Sequence, residues 1–181
     1  MCVINQNVSD KLNLEIRFKK DLITLNSITK EDLELLRNWK NKNKNYFFYK
    51  KNISIGEQLI WFEEYLEREE DYIFIIKHKE TKIGCMGFRV QGKLVDIYNI
   101  ILGDIKFGGK GLMGIALGLM CSYIIDKYNN IITVKVLENN YNAIEWYRKN
   151  GFIEKSKRKD YVFMELDLNN FIYREYKIKT F

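Results

Sequence analysis

The chain contains no proline among its 181 residues, only one histidine, and three cysteines. Without proline, turns must be read from Gly, Asn and Asp alone. Lys, Asn and Ile are abundant, so base composition explains the missing proline better than any structural demand. The lone His78 sits in the charged run Lys77–Lys82, which excludes a histidine-based triad. It also lacks the clustered ligands of a metal site. Cys2, Cys85 and Cys121 are odd in number and show no close-paired spacing, as expected of reduced thiols. No apolar run reaches the roughly 20 residues of a membrane span. The opening MCVINQNVSDK lacks the charged start and apolar stretch of a signal peptide. A cytoplasmic protein with no metal and no membrane partner is expected.

What is present suits one folded domain over residues 1–181. Hydrophobic residues make up 46% of the chain, enough for a core, and charged residues make up 30%, enough for a surface. The net charge of +6 raises the question of nucleic acid. The basic residues are dispersed, however, with Glu63–Asp71 between the clusters at Lys40–Lys51 and Lys155–Lys159. No zinc spacing, recognition helix or ribonucleoprotein motif accompanies them, so no nucleic-acid partner is expected. A basic surface serves a phosphorylated small ligand equally well.

Local signals divide the chain. A strand or hairpin covers Leu14–Leu25. Thr29 and Asp32, then Ser54 and Glu57, have capping-box spacing and open two helices, with Leu33, Leu36 and Trp39 on one face of the first. Strands follow at Asp71–Ile76, Ile83–Val90 and Lys93–Leu102, joined by turns at Lys79–Lys82 and Gln91–Gly92. Glycine-rich Gly103–Gly114 leads into a helix from Leu112 to Tyr128. Ile131–Leu137 is a strand, Tyr141–Asn150 a helix ended by Gly151, and Tyr161–Leu168 a last strand. The order predicts an α/β (α+β) domain: a mixed, twisted sheet of six to seven strands flanked by four helices.

The segment Phe107-Gly-Gly-Lys-Gly-Leu-Met-Gly114 stands between a strand and a helix. Glycines there allow a tight turn, and the free N–H groups and dipole of the helix start favour a phosphate or pyrophosphate. An unliganded glycine turn would look the same by spacing. The loop is no dinucleotide fingerprint, since it follows a hairpin strand with no suitable acidic residue beyond. Nor is it a P-loop, since Gly111 follows Lys110.

Gly109-Lys110-Gly111-Leu112 followed by Ala116-Leu117 resembles the pyrophosphate loop of the GNAT acetyltransferase superfamily. Asn140-Tyr-Asn-Ala143-Ile-Glu-Trp-Tyr147 through Gly151-Phe152 resembles that superfamily's second signature, in the right order and at the usual separation. The resemblance spans Leu25 to Leu168. It departs at Gly108, where relatives often carry Arg or Gln, and at Met113, where they carry Gly or Ala. It implies acetyl-CoA as cosubstrate, held by Gly108, Gly109, Lys110, Gly111, Leu112 and Met113, with Asn140 on the pantetheine arm or capping its helix. It implies oxyanion donors at the backbone of Ile101 and Leu102, and Tyr147 as the acid for the departing sulfur. For a base, the acidic candidates near the sheet centre are Asp96 and Glu138.

For the acceptor, Leu36-Arg37-Asn38-Trp39-Lys40-Asn41 resembles the Leu-x-x-Trp-Arg-Asn motif of a bacterial branch. That branch includes the amino-sugar N-acetyltransferase of pseudaminic acid synthesis and the ribosomal-protein-alanine acetyltransferases. Arg37, Trp39 and Tyr49 are the acceptor-side candidates, although Trp39 suits a helix core equally well. An aromatic and basic group fits a nucleotide-linked 4-amino sugar, whose base stacks and whose diphosphate wants cations. A protein N-terminus, a small amine, or acetyl-CoA binding without transfer are the alternatives. A monomer or homodimer is expected.

Overall fold

A computed structural model describes residues 14–18 and 22–180. Cys2 and the turn of the first hairpin lie outside the described residues. The elements, in order, are β1 (Leu14–Phe18), β2 (Ile23–Ser27), α1 (Leu33–Lys42), α2 (Ile55–Glu67), β3 (Asp71–His78), β4 (Thr81–Gln91), β5 (Leu94–Leu102), α3 (Leu112–Tyr128), β6 (Ile131–Leu137), α4 (Tyr141–Lys149), β7 (Phe152–Lys157), β8 (Tyr161–Leu166) and β9 (Lys177–Thr180).

The capping signals act where the sequence places them. Asp32 accepts from the backbone N–H of Thr29 at 2.9 Å, and a 3-10 turn at Lys30–Asp32 feeds α1. Ser54 Oγ accepts from Glu57 N at 3.2 Å, while the Glu57 carboxylate accepts from Ser54 N at 2.7 Å. Both boxes satisfy N–H groups that a helix start otherwise leaves open.

The described strands form one sheet in the order β7-β8-β6-β5-β4-β3-β2-β1-β9. Nine strands exceed the expected six to seven for three reasons. The first hairpin contributes two strands. β7, FIEKSK, is exposed beyond Phe152 and shows no apolar alternation. β9, KIKT, is wholly exposed and is recognisable only by its pairing with β1.

The central strands alternate between two cores. Phe74 and Ile76 of β3 face α3 and α4, whereas Ile73 and Ile75 face α1 and α2. α3 is apolar nearly all round because it lies under the sheet, with the chain's end laid across its outer side. There the Tyr173 and Tyr176 hydroxyls donate to Asp126 at 2.6 and 2.7 Å, and the Arg174 N–H donates to Ser122 Oγ at 2.9 Å.

Two features of the sheet create a site. Among the described residues the one parallel pair, β5 with β6, holds only over Leu94–Ile97 against Ile131–Val134, after which the strands part. Close by, β5 bulges against β4: Tyr98 faces Gly87 and Ile101 faces Cys85, one residue more on β5 than on β4. Asn99 takes the bulge conformation at φ 51°, one that Asn tolerates better than most residues.

Candidate active site

Where β5 and β6 separate, a cleft of about 390 Å³ opens. Its walls include Asp96, Tyr98, Asn99 and Ile100 from β5, Val134 to Leu137 from β6, the α4 cap Asn140, and Ala143 and Tyr147 of α4. The aromatic loop Tyr46–Tyr49 closes one side, with Phe48 reaching across to meet Tyr161 of β8 edge-on at 6.1 Å.

Tyr147 is buried, its ring edge-on to Trp146 at 5.1 Å and to Phe152 at 5.4 Å. Burial raises its pKa well above that of a free phenol, and the neighbouring Cys121 and Asp96 add to the shift. The hydroxyl therefore stays protonated across the neutral range. Asn140 caps α4, its Oδ1 accepting from Ala143 N at 3.3 Å, and it also lines the cleft. Asp96 lies within the cleft with its pKa raised by burial, which Lys135 and Arg89 partly oppose. Its Oδ1 is buried and meets no donor among the described residues. Glu138 is elsewhere: its carboxylate holds Lys157 at 2.6 Å on the outer hairpin, and it lines neither cavity.

The glycine loop begins with a 3-10 turn at Ile105–Phe107 and delivers α3 through Gly109 at φ 70° and Gly111 at φ 71°. A Cβ on either glycine would meet nothing within 4 Å, so this side of the loop is open. The first-turn N–H groups, from Leu112 onward, have no partner inside the helix and present a positive dipole end. Met113 turns away into the core. Its Sδ and Cε lie 3.2 Å from where a Cβ on Gly84 would stand, so its bulk is accommodated beneath the loop. Ile101 and Leu102 lie past the bulge. Ile101 lines a second cavity, and Leu102 packs under Gly108. At the bulge, the cleft is lined by Asn99 and Ile100.

The second cavity, about 330 Å³, lies between α1, α2 and the sheet. Its polar lining is Lys40, Tyr49, Glu57, Gln58 and Asn99, with Trp61 as an aromatic wall. Of the acceptor-side candidates, Tyr49 is here. Trp39 is a core residue, 7% exposed, packed so tightly on Gly103 that a Cβ there would stand 2.0 Å from its ring. Arg37 is part-exposed on α1 and lines neither cavity.

Sequence reasoning passed over Lys40. Its Nζ lies 3.4 Å from the Phe47 ring centroid and donates to Asn99 Oδ1 at 2.5 Å, 59 residues along the chain. Beneath the bulge, Asp71 is completely buried and accepts two bonds from Arg89, at 2.9 and 2.7 Å, and one from the Tyr98 hydroxyl. This network fixes the strand end from which the bulge departs.

The family described as acetyltransferase (GNAT) domain matches residues 23–153. Among curated protein sequences, none matches this one significantly. Solved structures similar in fold include FdhC, a nucleotide-linked sugar GNAT, at 19% identity and TM-score 0.69, covering 85% of this chain and 89% of that one. The N-acetyltransferase PseH of Campylobacter jejuni, solved with acetyl coenzyme A, is 19% identical with TM-score 0.64 and coverages of 81% and 99%. Spermidine N-acetyltransferase from Vibrio cholerae, solved with CoA and spermine, is 19% identical with TM-score 0.67 and coverages of 87% and 95%.

Proposed function

This chain belongs to the GNAT acetyltransferase family, as an N-acetyltransferase using acetyl-CoA, and from that premise we propose that its acceptor is a nucleotide-linked 4-amino sugar. The residues present suit the donor. An open glycine loop at a helix start offers backbone N–H groups to a pyrophosphate. The β5–β6 cleft is lined mainly by apolar and aromatic residues.

When bound, acetyl-CoA supplies the thioester that is cleaved. The chain's own groups then have distinct tasks. Backbone N–H groups at the Asn99 bulge are oriented dipoles of the kind that stabilise an oxyanion, where loss of one donor costs other enzymes about 3–4 kcal/mol. Tyr147 keeps its proton until the sulfur departs and then donates it. Asp96 sits close enough to Tyr147 to help hold the phenol protonated. Phe48 against Tyr161 keeps water from one side of the cleft.

The observation that carries the acceptor is the lining of the second cavity. A polyamine calls for several carboxylates, whereas this cavity has one, Glu57. Amide, phenol and carboxylate groups around an aromatic wall suit the hydroxyls and apolar faces of a sugar ring. Tyr49 of this lining and Tyr46 and Phe48 of the neighbouring cleft are exposed, with Lys50 and Lys51 next along the chain, and would receive a nucleobase and diphosphate.

The test is acetyl transfer followed by mass change of the acceptor. The panel is a UDP-linked 4-amino-6-deoxy sugar, an alanine-starting ribosomal peptide and spermidine. Acetylation of the sugar is expected. Acetylation of the peptide or spermidine, with the sugar untouched, would keep the chemistry and reject this acceptor.

A further inference from the structure

Three residues line both cavities: Lys40, Tyr49 and Asn99. On the acetyl-transfer reading, one cavity receives the thioester and the other the amine, so the new C–N bond forms where they meet. The acceptor must lose a proton there, because an ammonium has no lone pair with which to attack. A carboxamide is not a base near neutral pH, and a neutral phenol is a very weak one. Asp96 and Glu57 each line one cavity only. From this shared lining we infer that Lys40 is the residue that takes the proton from the acceptor amine, an assignment resting on the acetyl-transfer reading.

The surroundings of Lys40 fit a lysine that works as a base. Among the described residues no carboxylate pairs with it; its partners are the Asn99 amide oxygen and the Phe47 ring. Burial lowers its pKa to about 8, an effect that Cys85 opposes. The Phe47 face favours the charged form and works against a further fall. The titratable groups around it come from several elements. Cys85 of β4 is a buried thiol pushed up to about 12 and stays neutral. Glu57 of α2 faces the acceptor cavity, while Asp96 of β5, Lys135 of β6 and Tyr147 of α4 face the cleft. Where the resembling motif carries arginine, which is always protonated, this chain carries a residue that titrates.

The protons balance. An ammonium acceptor loses two on becoming an amide. The first goes to Lys40 Nζ, freeing the nitrogen lone pair to form the C–N bond. The C–S bond then breaks with its electron pair on sulfur, and sulfur takes a proton from Tyr147. The second proton, released as the adduct collapses, replaces the one Tyr147 gave. Lys40 returns its proton to solvent.

The experiment measures kcat against pH for the full chain with whichever acceptor of the panel is turned over, in wild type, Lys40→Arg and Lys40→Ala. Circular dichroism and acetyl-CoA titration would check that each variant is folded and binds donor. Wild-type kcat is expected to rise through a limb near pH 8. Both variants are expected to lose that limb and about 10²–10⁴-fold in kcat, the usual range for a lost proton-transfer group. Trimethylamine, a base that cannot itself be acetylated, is expected to restore Lys40→Ala increasingly as pH rises. A Lys40→Arg protein that keeps the wild-type kcat and limb would overturn the assignment alone. An absence of turnover by wild type on every acceptor would overturn it together with the reading beneath it.

Discussion

Replacing Gly111 with Ala separates the glycine loop's backbone geometry from its contact with the donor. Gly111 stands at φ 71° and Gly92, in the β4–β5 turn, at φ 62°, and a Cβ on either meets nothing within 4 Å. Both substitutions therefore pay only the left-handed strain of a non-glycine residue, roughly 1–2 kcal/mol. In a chain of this length, 1 kcal/mol moves Tm by about 2–4 °C, so each variant should melt roughly 2–8 °C lower. The two positions differ in what lies beside them. Gly111 is the N-cap of α3, next to first-turn N–H groups that have no partner in the helix, whereas Gly92 is at a hairpin tip. Calorimetric titration should show acetyl-CoA binding weakened about tenfold or more in Gly111→Ala, equivalent to about 1.4 kcal/mol, and unchanged in Gly92→Ala. Equal affinities in the two variants would refute the assignment of this loop as the pyrophosphate cradle.

Tyr147→Phe should lower kcat about 10²–10⁴-fold with acetyl-CoA affinity intact, measured by steady-state kinetics alongside titration; unchanged kcat would leave the phenol a packing residue. Arg89→Met removes two bonds to the fully buried Asp71, which keeps the Tyr98 hydroxyl and Arg68 at 3.6 Å, and should destabilise the fold by about 1–3 kcal/mol, read from urea unfolding. Lys40 titrates near 8 in the folded chain against 10.5 for a free lysine, so between these values the unfolded chain holds the proton that the folded chain has released. Stability of wild type relative to Lys40→Met should then rise with pH across that window, and a flat difference in urea midpoints would contradict the shift.

Features governed by near neighbours in the chain were legible in the sequence. The capping boxes at Thr29 and Ser54 involve residues three apart, and each gives the bond its spacing implies. The glycine loop shares this legibility, since a left-handed turn feeding a helix is encoded by a few consecutive residues. The same holds for Asn140, whose cap is a contact with the residue three positions on. Trp39 and Glu138 show the limit. Both are of the right type and near the right elements, but Trp39 is committed to Gly103 and Glu138 to Lys157, pairings that no local pattern announces. β7 and β9 were missed because exposed edge strands need not alternate apolar and polar residues.

The sequence by itself determined most of the element types, the left-handed glycine turn into α3 and the family, because periodicity, caps and glycine conformations are short-range physics. Only the tertiary structure decided that β5 and β6 part after Ile97, that a bulge at Asn99 marks the parting, and that Lys40 reaches it. Those decisions bring together side chains from positions 40, 49, 96, 99 and 147, whose relation exists only once two cores close on opposite faces of one sheet.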